Sequence, residues 1–320
     1  MDYSKVIRHK LLNVIQSLAL VLLLAGLMAY VAYIIAGEWM AWLAFLMVII
    51  LFFANPMITP QFILRMYRAQ SISREEAPDM LQLLDMISQR AGLEKTPRLY
   101  YVSSRVLNAF AIGSVHDSVI VVSSSILNRL TFAELAGILA HEITHIKNND
   151  IRVMTFADIA GRMTKVLSIF GQLFVLISLP LLLFAGAHIN WLPLIILICA
   201  PLFSDLVQLG LSRLREYDAD LGSAILLGDG RLLASALRKL EHYEHNYLGS
   251  VFIPVQKIPE PSLLRTHPPL EERIRRLLEF HSEHENPSLL NGLVQQNSDE
   301  IPVHIISPDH ARRHFTGFWY

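Results

Sequence analysis

Residues 131–150, TFAELAGILAHEITHIKNND, decide how this chain is read. Thr131 stands three residues before Glu134, the spacing of a capping box that opens a helix. Leu135, Ile138 and Leu139 then form an apolar helical face. On that helix His141-Glu142-Ile143-Thr144-His145 matches H-E-x-x-H. Positions four apart share one face, so His141 and His145 can ligate a single ion. Neutral imidazoles suit Zn2+. Glu142 is turned about 100° round the helix from His141. There it cannot easily join the ligand face, but it can reach a metal-activated water as general base. The alternative is that His and Glu only decorate a helix face; the cap, the apolar face and an upstream strand argue against it.

A catalytic zinc site needs a third protein ligand and an open position. Glu216, in the stretch SRLREYDAD at 212–220, is the best candidate, because it opens a helix-like stretch after a long apolar run. Asp220, four residues on, lies on the same face and can accept an N–H bond from a ligand histidine. Glu216 can equally be read as a surface ion-pair partner of Arg213 or Arg215.

The rest of the chain speaks of a membrane. Of 320 residues 53% are hydrophobic and only 17% charged, away from soluble averages. The net charge of -1 leaves no electrostatic footprint for nucleic acid. The single cysteine, Cys199, excludes an internal disulfide and a Cys-based metal site. Leu11 to Ala36 and Trp39 to Leu64 are uncharged runs of 26 residues each, parted by Gly37 and Glu38. Each is long enough to span about 30 Å of hydrocarbon. The first is too long for the apolar core of a signal peptide, so it reads as an anchor. Val166 to Ser204, 39 uncharged residues, suits two spans with a break at His188, Asn190 and Pro193. A re-entrant hairpin, or an apolar hairpin buried in protein, has the same composition. Lys5, Arg8, Lys10, Arg65, Arg68, Arg162, Lys165, Arg213 and Arg215 flank the runs, and the two short connections carry no Lys or Arg. Both termini and the long 65–165 segment are therefore expected on the cytoplasmic side. The chemistry makes the same demand: His141 and Glu216 can share an ion only if the apolar hairpin between them returns to its starting side.

These signals divide the chain into an N-terminal transmembrane hairpin (1–64), a first soluble block with the His141 helix (65–165), a second transmembrane hairpin (166–211), a helical block with the third ligand (212–281) and a polar extension (282–320). Within the blocks, 77–91, 231–247 and 269–280 have helical apolar spacing, and 97–102 and 118–122 read as strands.

The H-E-x-x-H segment, SRLREYDAD, Asn108-Ala109-Phe110-Ala111 and HPPLEERI at 267–274 together resemble HtpX-type membrane zinc metalloproteases, with the CAAX prenyl proteases as more distant relatives. The resemblance spans roughly residues 5–280. It implies a mainly α membrane protein with a small β-sheet, in which a gluzincin-like metalloprotease core is anchored by about four transmembrane helices. It implies one Zn2+ per chain, held by His141, His145 and Glu216, with Glu142 as base and Asp220 behind a ligand histidine. It would place His267 and Arg273 near the scissile carbonyl, helping to hold the oxyanion. A turn residue and a surface helix charge are the plainer readings of those two. Asn108, Ala109, Phe110 and Ala111 would border the groove where an extended polypeptide adds as a strand, although Phe110 also reads as core. The implied setting is a bacterial inner membrane, with membrane or misfolded proteins as substrates and the lipid bilayer as partner. A narrow processing protease, or a scaffold with a vestigial site, are the rival functions. His242 and His245 read as a solvated helix face beside Glu241 and Glu244, and LLGDG at 226–230 as a helix end with a Gly turn.

Overall fold

The computed structural model describes residues 3–54, 60–104, 106–184, 191–248 and 269–283. The elements in order are α1 (Tyr3–Ala54), α2 (Pro60–Met66), β1 (Gln70–Ser71), α3 (Pro78–Ala91), β2 (Arg98–Val102), β3 (Ala109–Ser114), β4 (Asp117–Ser123), α4 (Ser124–Arg129), α5 (Phe132–Lys147), α6 (Asp150–Phe184), α7 (Trp191–Leu227), α8 (Arg231–Leu248) and α9 (Leu270–Glu283). They form two compact units. The first takes α1, α6 and α7 as far as Asp218; the second takes 58–149, α7 from Ala219, α8 and α9. His267, the break expected at His188 and Asn190, and the extension beyond Glu283 lie outside the described residues.

The first unit is inverted relative to a soluble bundle. Large apolar side chains point outward on all three helices: Ile177 and Phe184 on α6 are 77% and 91% exposed, with Leu22 on α1 and Leu202 on α7 among many others. Its interior holds small and polar residues together with a few large apolar ones. Ala25, Met28 and Ala32 of α1 pack on Phe156, Ala157 and Ala160 of α6, and Thr164, Ser168 and Ser204 are fully buried. Lipid accepts such an outer surface and water does not. Among the described residues two helices are long and apolar enough to cross a membrane, Asp150–Ile177 and Trp191–Leu227. The two spans read from Leu11 to Leu64 fall largely in one assigned helix, α1. Gly37 keeps a left-handed φ of 78° at the place where the break was expected.

Pro201 sits inside α7 and has no N–H to give the carbonyl four residues back, Leu197. Ser168 of α6 donates its hydroxyl to that oxygen, with the Gln172 amide 3.5 Å away. A freed carbonyl in an apolar helix is thus met from the neighbouring helix.

The second unit is built on a four-stranded sheet of order β1-β2-β4-β3. β2 and β4 run parallel, and β3 returns antiparallel on β4. Ser118 to Ser123 are all buried, because β4 is interior to the sheet and covered on both faces. One face carries Val119 and Val121 with Leu64, Val102 and Ile112. α5 packs beside β3 and β4. β3 was not read as a strand from the sequence: AFAIGS is short, Ala-rich and does not alternate. Its end is a tight hairpin in which Ser114 pairs with Asp117. Gly113 has φ 101°, and a Cβ there would sit 2.1 Å from the Asp117 carbonyl oxygen.

α5 is the spine of this unit, buried along nearly its whole length. The capping box forms as expected: Glu134 N–H donates to Thr131 Oγ1 at 3.3 Å, and Thr131 N–H to Glu134 Oε2 at 2.8 Å. α8 crosses α5 at Gly137, where a Cβ would lie 2.7 Å from the backbone nitrogen of Leu233. Gly137→Ala is expected to cost about 1–3 kcal/mol through forced separation of the two helices. Thermal melts of the purified protein check this; an unchanged Tm would refute the close approach.

Glu134 also ties α5 to α8, accepting from Lys239 Nζ and Ser235 Oγ at 2.7 Å each. Burial pushes the Glu134 carboxyl up, but the Lys239 hydrogen bond, the Thr131 N–H, the Ser235 hydroxyl and the Lys239 charge outweigh it and hold it below the usual carboxylate range. A depressed folded-state pKa contributes stability above the unfolded value, about 4.3, and loses it as pH falls through the folded value. The protein should therefore lose stability below about pH 4.3 more steeply than Glu134→Gln does. Parallel acid limbs in melts of the two proteins would remove Glu134 as the cause.

Candidate metal centre

His141 and His145 lie one turn apart toward the C-terminal end of α5, the first buried and the second half-buried. Their Nε2 atoms approach to 3.1 Å, with the rings nearly perpendicular at 87°. On the far side of the first ring, His141 Nδ1 is 3.1 Å from Asp220 Oδ1. A carboxylate there favours the proton on Nδ1 and leaves the Nε2 lone pair facing His145. Two nitrogens sharing a tetrahedral zinc at about 2.0–2.1 Å each stand roughly 3.3 Å apart. The observed convergence is close to that spacing.

The third candidate ligand, a carboxylate, comes from α7. This is a correction to the sequence reading: Glu216 does not open a helix after an apolar run. It lies inside one continuous helix, Trp191–Leu227, that carries both the apolar run and the ligand stretch. The boundary drawn at 211/212 falls inside α7, and that at 165/166 inside α6. Glu216 stands one turn before Asp220 on α7, and ligand atoms of His141, His145 and Glu216 lie within 4.8 Å of one another. From Ala219 onward α7 approaches α5 very closely. A Cβ at Gly222 would meet Thr144 Cγ2 at 2.3 Å, and Ser223 donates its hydroxyl to the Gly137 carbonyl at 3.0 Å. Small residues on α7 thus let its backbone reach the helix of the two histidines. One residue before Glu216, Arg215 makes a buried ion pair with Asp150 at 3.0 Å.

Glu142 is buried beside His141 on α5. Two imidazoles and one carboxylate are a donor set that suits a divalent ion such as zinc. When bound, zinc supplies Lewis acidity that activates water and polarises a carbonyl.

Arg273, on α9, is buried on Asp220: Nε donates to Oδ2 at 2.8 Å and Nη2 to Oδ1 at 2.7 Å. Ala109, Phe110 and Ala111 lie on β3, paired with Val122, Val121 and Ile120, and the Asn108 N–H donates to Ser123 Oγ. Phe110 is half-buried and packs on Tyr67, with ring centroids 5.4 Å apart, beside the Leu64 cluster. The Asp150–Arg215 pair and the Gly222–Thr144 approach had no sequence signal, because nothing in their spacing marks them as partners.

Residues 73–281 match the model of Peptidase family M48. The chain is 34% identical over 291 residues to "Protease HtpX homolog" of Persephonella marina, covering 84% of this chain and 98% of that one. It is 35% identical over 272 residues to the protein of the same name from Pyrococcus furiosus, covering 79% and 91%. Among solved structures, the crystal structure of S. mikatae Ste24p shares 20% identity at a TM-score of 0.41, covering 84% of this chain and 66% of that one. The family match takes in the α5 histidines, Glu216 on α7 and Arg273 on α9 in one stretch, and with it the chain belongs to Peptidase family M48, a family of metallopeptidases.

Proposed function

We propose that this chain is a zinc-dependent endopeptidase of a membrane surface, with its site facing the cytoplasm. The observation that carries the reading is the convergence of His141, His145 and Glu216, with Glu142 beside them. Glu142 takes a proton from the attacking water and hands it to the leaving amide nitrogen. Asp220 holds the His141 ring and its Nδ1 proton. β3, the outer strand along α5, offers its open edge to an extended peptide, with Ala109 to Ala111 in the strand and Asn108 just before it. By the resemblance, His267 joins them at the reacting carbonyl. Recognition through main-chain hydrogen bonds tolerates many sequences, which supports membrane or misfolded polypeptides as substrates over one dedicated peptide.

Orientation rests on the flanking cations: Arg65, Arg68, Arg162 and Arg213 are exposed, whereas the charge of Arg215 is used in its ion pair with Asp150. On this reading the membrane-embedded part comprises about four spans, two of them in α1.

The test is metal removal. Detergent-purified protein should contain zinc near one per chain, lose hydrolysis of an unfolded protein substrate after 1,10-phenanthroline, and regain it on adding zinc. Full activity in zinc-free protein would end the proposal. Cleavage confined to one peptide from a broad library would favour a dedicated processing protease.

A further inference from the structure

We infer that Arg273 is a positioning residue for the metal centre, acting through Asp220 on His141, and not a contact of the substrate oxyanion. The inference rests on the metal-binding reading above. Its support is geometric. The guanidinium grips Asp220 at both oxygens, at 2.7 and 2.8 Å, and the oxygen taken by Nη2 also faces His141 Nδ1 at 3.1 Å. Both charged residues are 4% exposed.

A planar two-bond grip fixes the carboxylate plane as well as its charge. The direction in which Asp220 accepts from His141 is then set by Arg273. That direction turns the imidazole so that Nε2 meets His145 Nε2. Asp220 has no such rigidity alone, since its side chain rotates about two bonds. A buried carboxylate without its cation also pays a large desolvation cost, relieved by turning away from His141 toward water. That movement withdraws the acceptor from His141 Nδ1.

The guanidinium arrives from outside the two ligand helices. Within the second unit α9 packs where Gly230 makes room: a Cβ there would sit 2.5 Å from the Leu277 carbonyl oxygen. Ile274 and Leu277 are buried beside it. Docking of α9 and completion of the site are therefore one event, because the residue that fixes Asp220 comes with the helix. The Nε–Nη2 edge of the fork is engaged on Asp220, so that edge is not offered to an oxyanion.

The experiment uses the full-length protein in detergent and measures zinc affinity by competition with a chromophoric chelator. Wild type, Arg273→Gln, Asp220→Asn and the double variant form a cycle. Arg273→Gln should weaken zinc binding by about 10–100-fold, the usual loss when a group behind a ligand histidine is removed. In the Asp220→Asn background the same change should cost less than roughly 3-fold, since residues acting in series do not add. Arg273→Lys keeps the charge without the fork and should fall between. If Arg273→Gln does not fold, as judged by circular dichroism and gel filtration, the Lys variant carries the measurement. Wild-type zinc affinity in Arg273→Gln or Arg273→Lys, with kcat reduced and KM unchanged, overturns the inference in favour of an oxyanion contact. Absence of stoichiometric zinc in the wild type is a different failure, that of the metal reading itself.

Discussion

Glu142→Gln is expected to lower kcat/KM for peptide hydrolysis by about 10²–10⁴-fold while bound metal stays at the wild-type level. Gln keeps the volume and most of the hydrogen bonding of Glu, but cannot hold the transferred proton. The position is buried on α5, so an isosteric change limits repacking losses. Glu142 is absent from the converging donor set of His141, His145 and Glu216. Metal content and rate should therefore separate in this variant. Loss of metal together with rate would make Glu142 a ligand. Activity within a few-fold of wild type, with metal intact, would place the base elsewhere.

Glu216→Ala should act in the opposite way, removing metal first and activity as a consequence. Sharing about 10–16 kcal/mol among four donors gives roughly 10²–10³-fold weaker zinc binding for the loss of one. Excess zinc should restore some activity to Glu216→Ala and none to Glu142→Gln. Zinc titration of both variants in one assay reads this directly. Wild-type zinc affinity in Glu216→Ala would remove α7 from the site.

The contrast between these variants follows from how each residue became visible. His141, Glu142 and His145 are neighbours on one helix, and local spacing alone sets their relative positions. Thr131 and Glu134 are local in the same way, and the capping box they form begins α5 where the sequence places it. Helix α3 begins at Pro78 and stops at Gly92, which adopts φ 76°. Both signals are readable from residue type.

Strand β3 was hidden because AFAIGS gains its conformation from β4 and α5 rather than from its own composition. Glu216 was legible as a candidate and no more. The same nine residues contain Arg213, Arg215, Asp218 and Asp220, and periodicity cannot rank them. Arg273 was expected near the scissile carbonyl, and its guanidinium lies on Asp220, 53 residues away in sequence. No spacing rule links such residues.

By itself the sequence determined the helix of the two histidines, its start, Glu142 beside them and the apolar segments that place the protein at a membrane. These depend on interactions within a few residues, or on hydropathy summed along a run. Tertiary structure decided which carboxylate of α7 turns to the histidines, what fixes Asp220, and that β3 lies along α5. Each depends on close packing between elements distant in the chain, through small residues such as Gly137, Gly222 and Gly230. A glycine gives no sign in the sequence of which backbone it will admit.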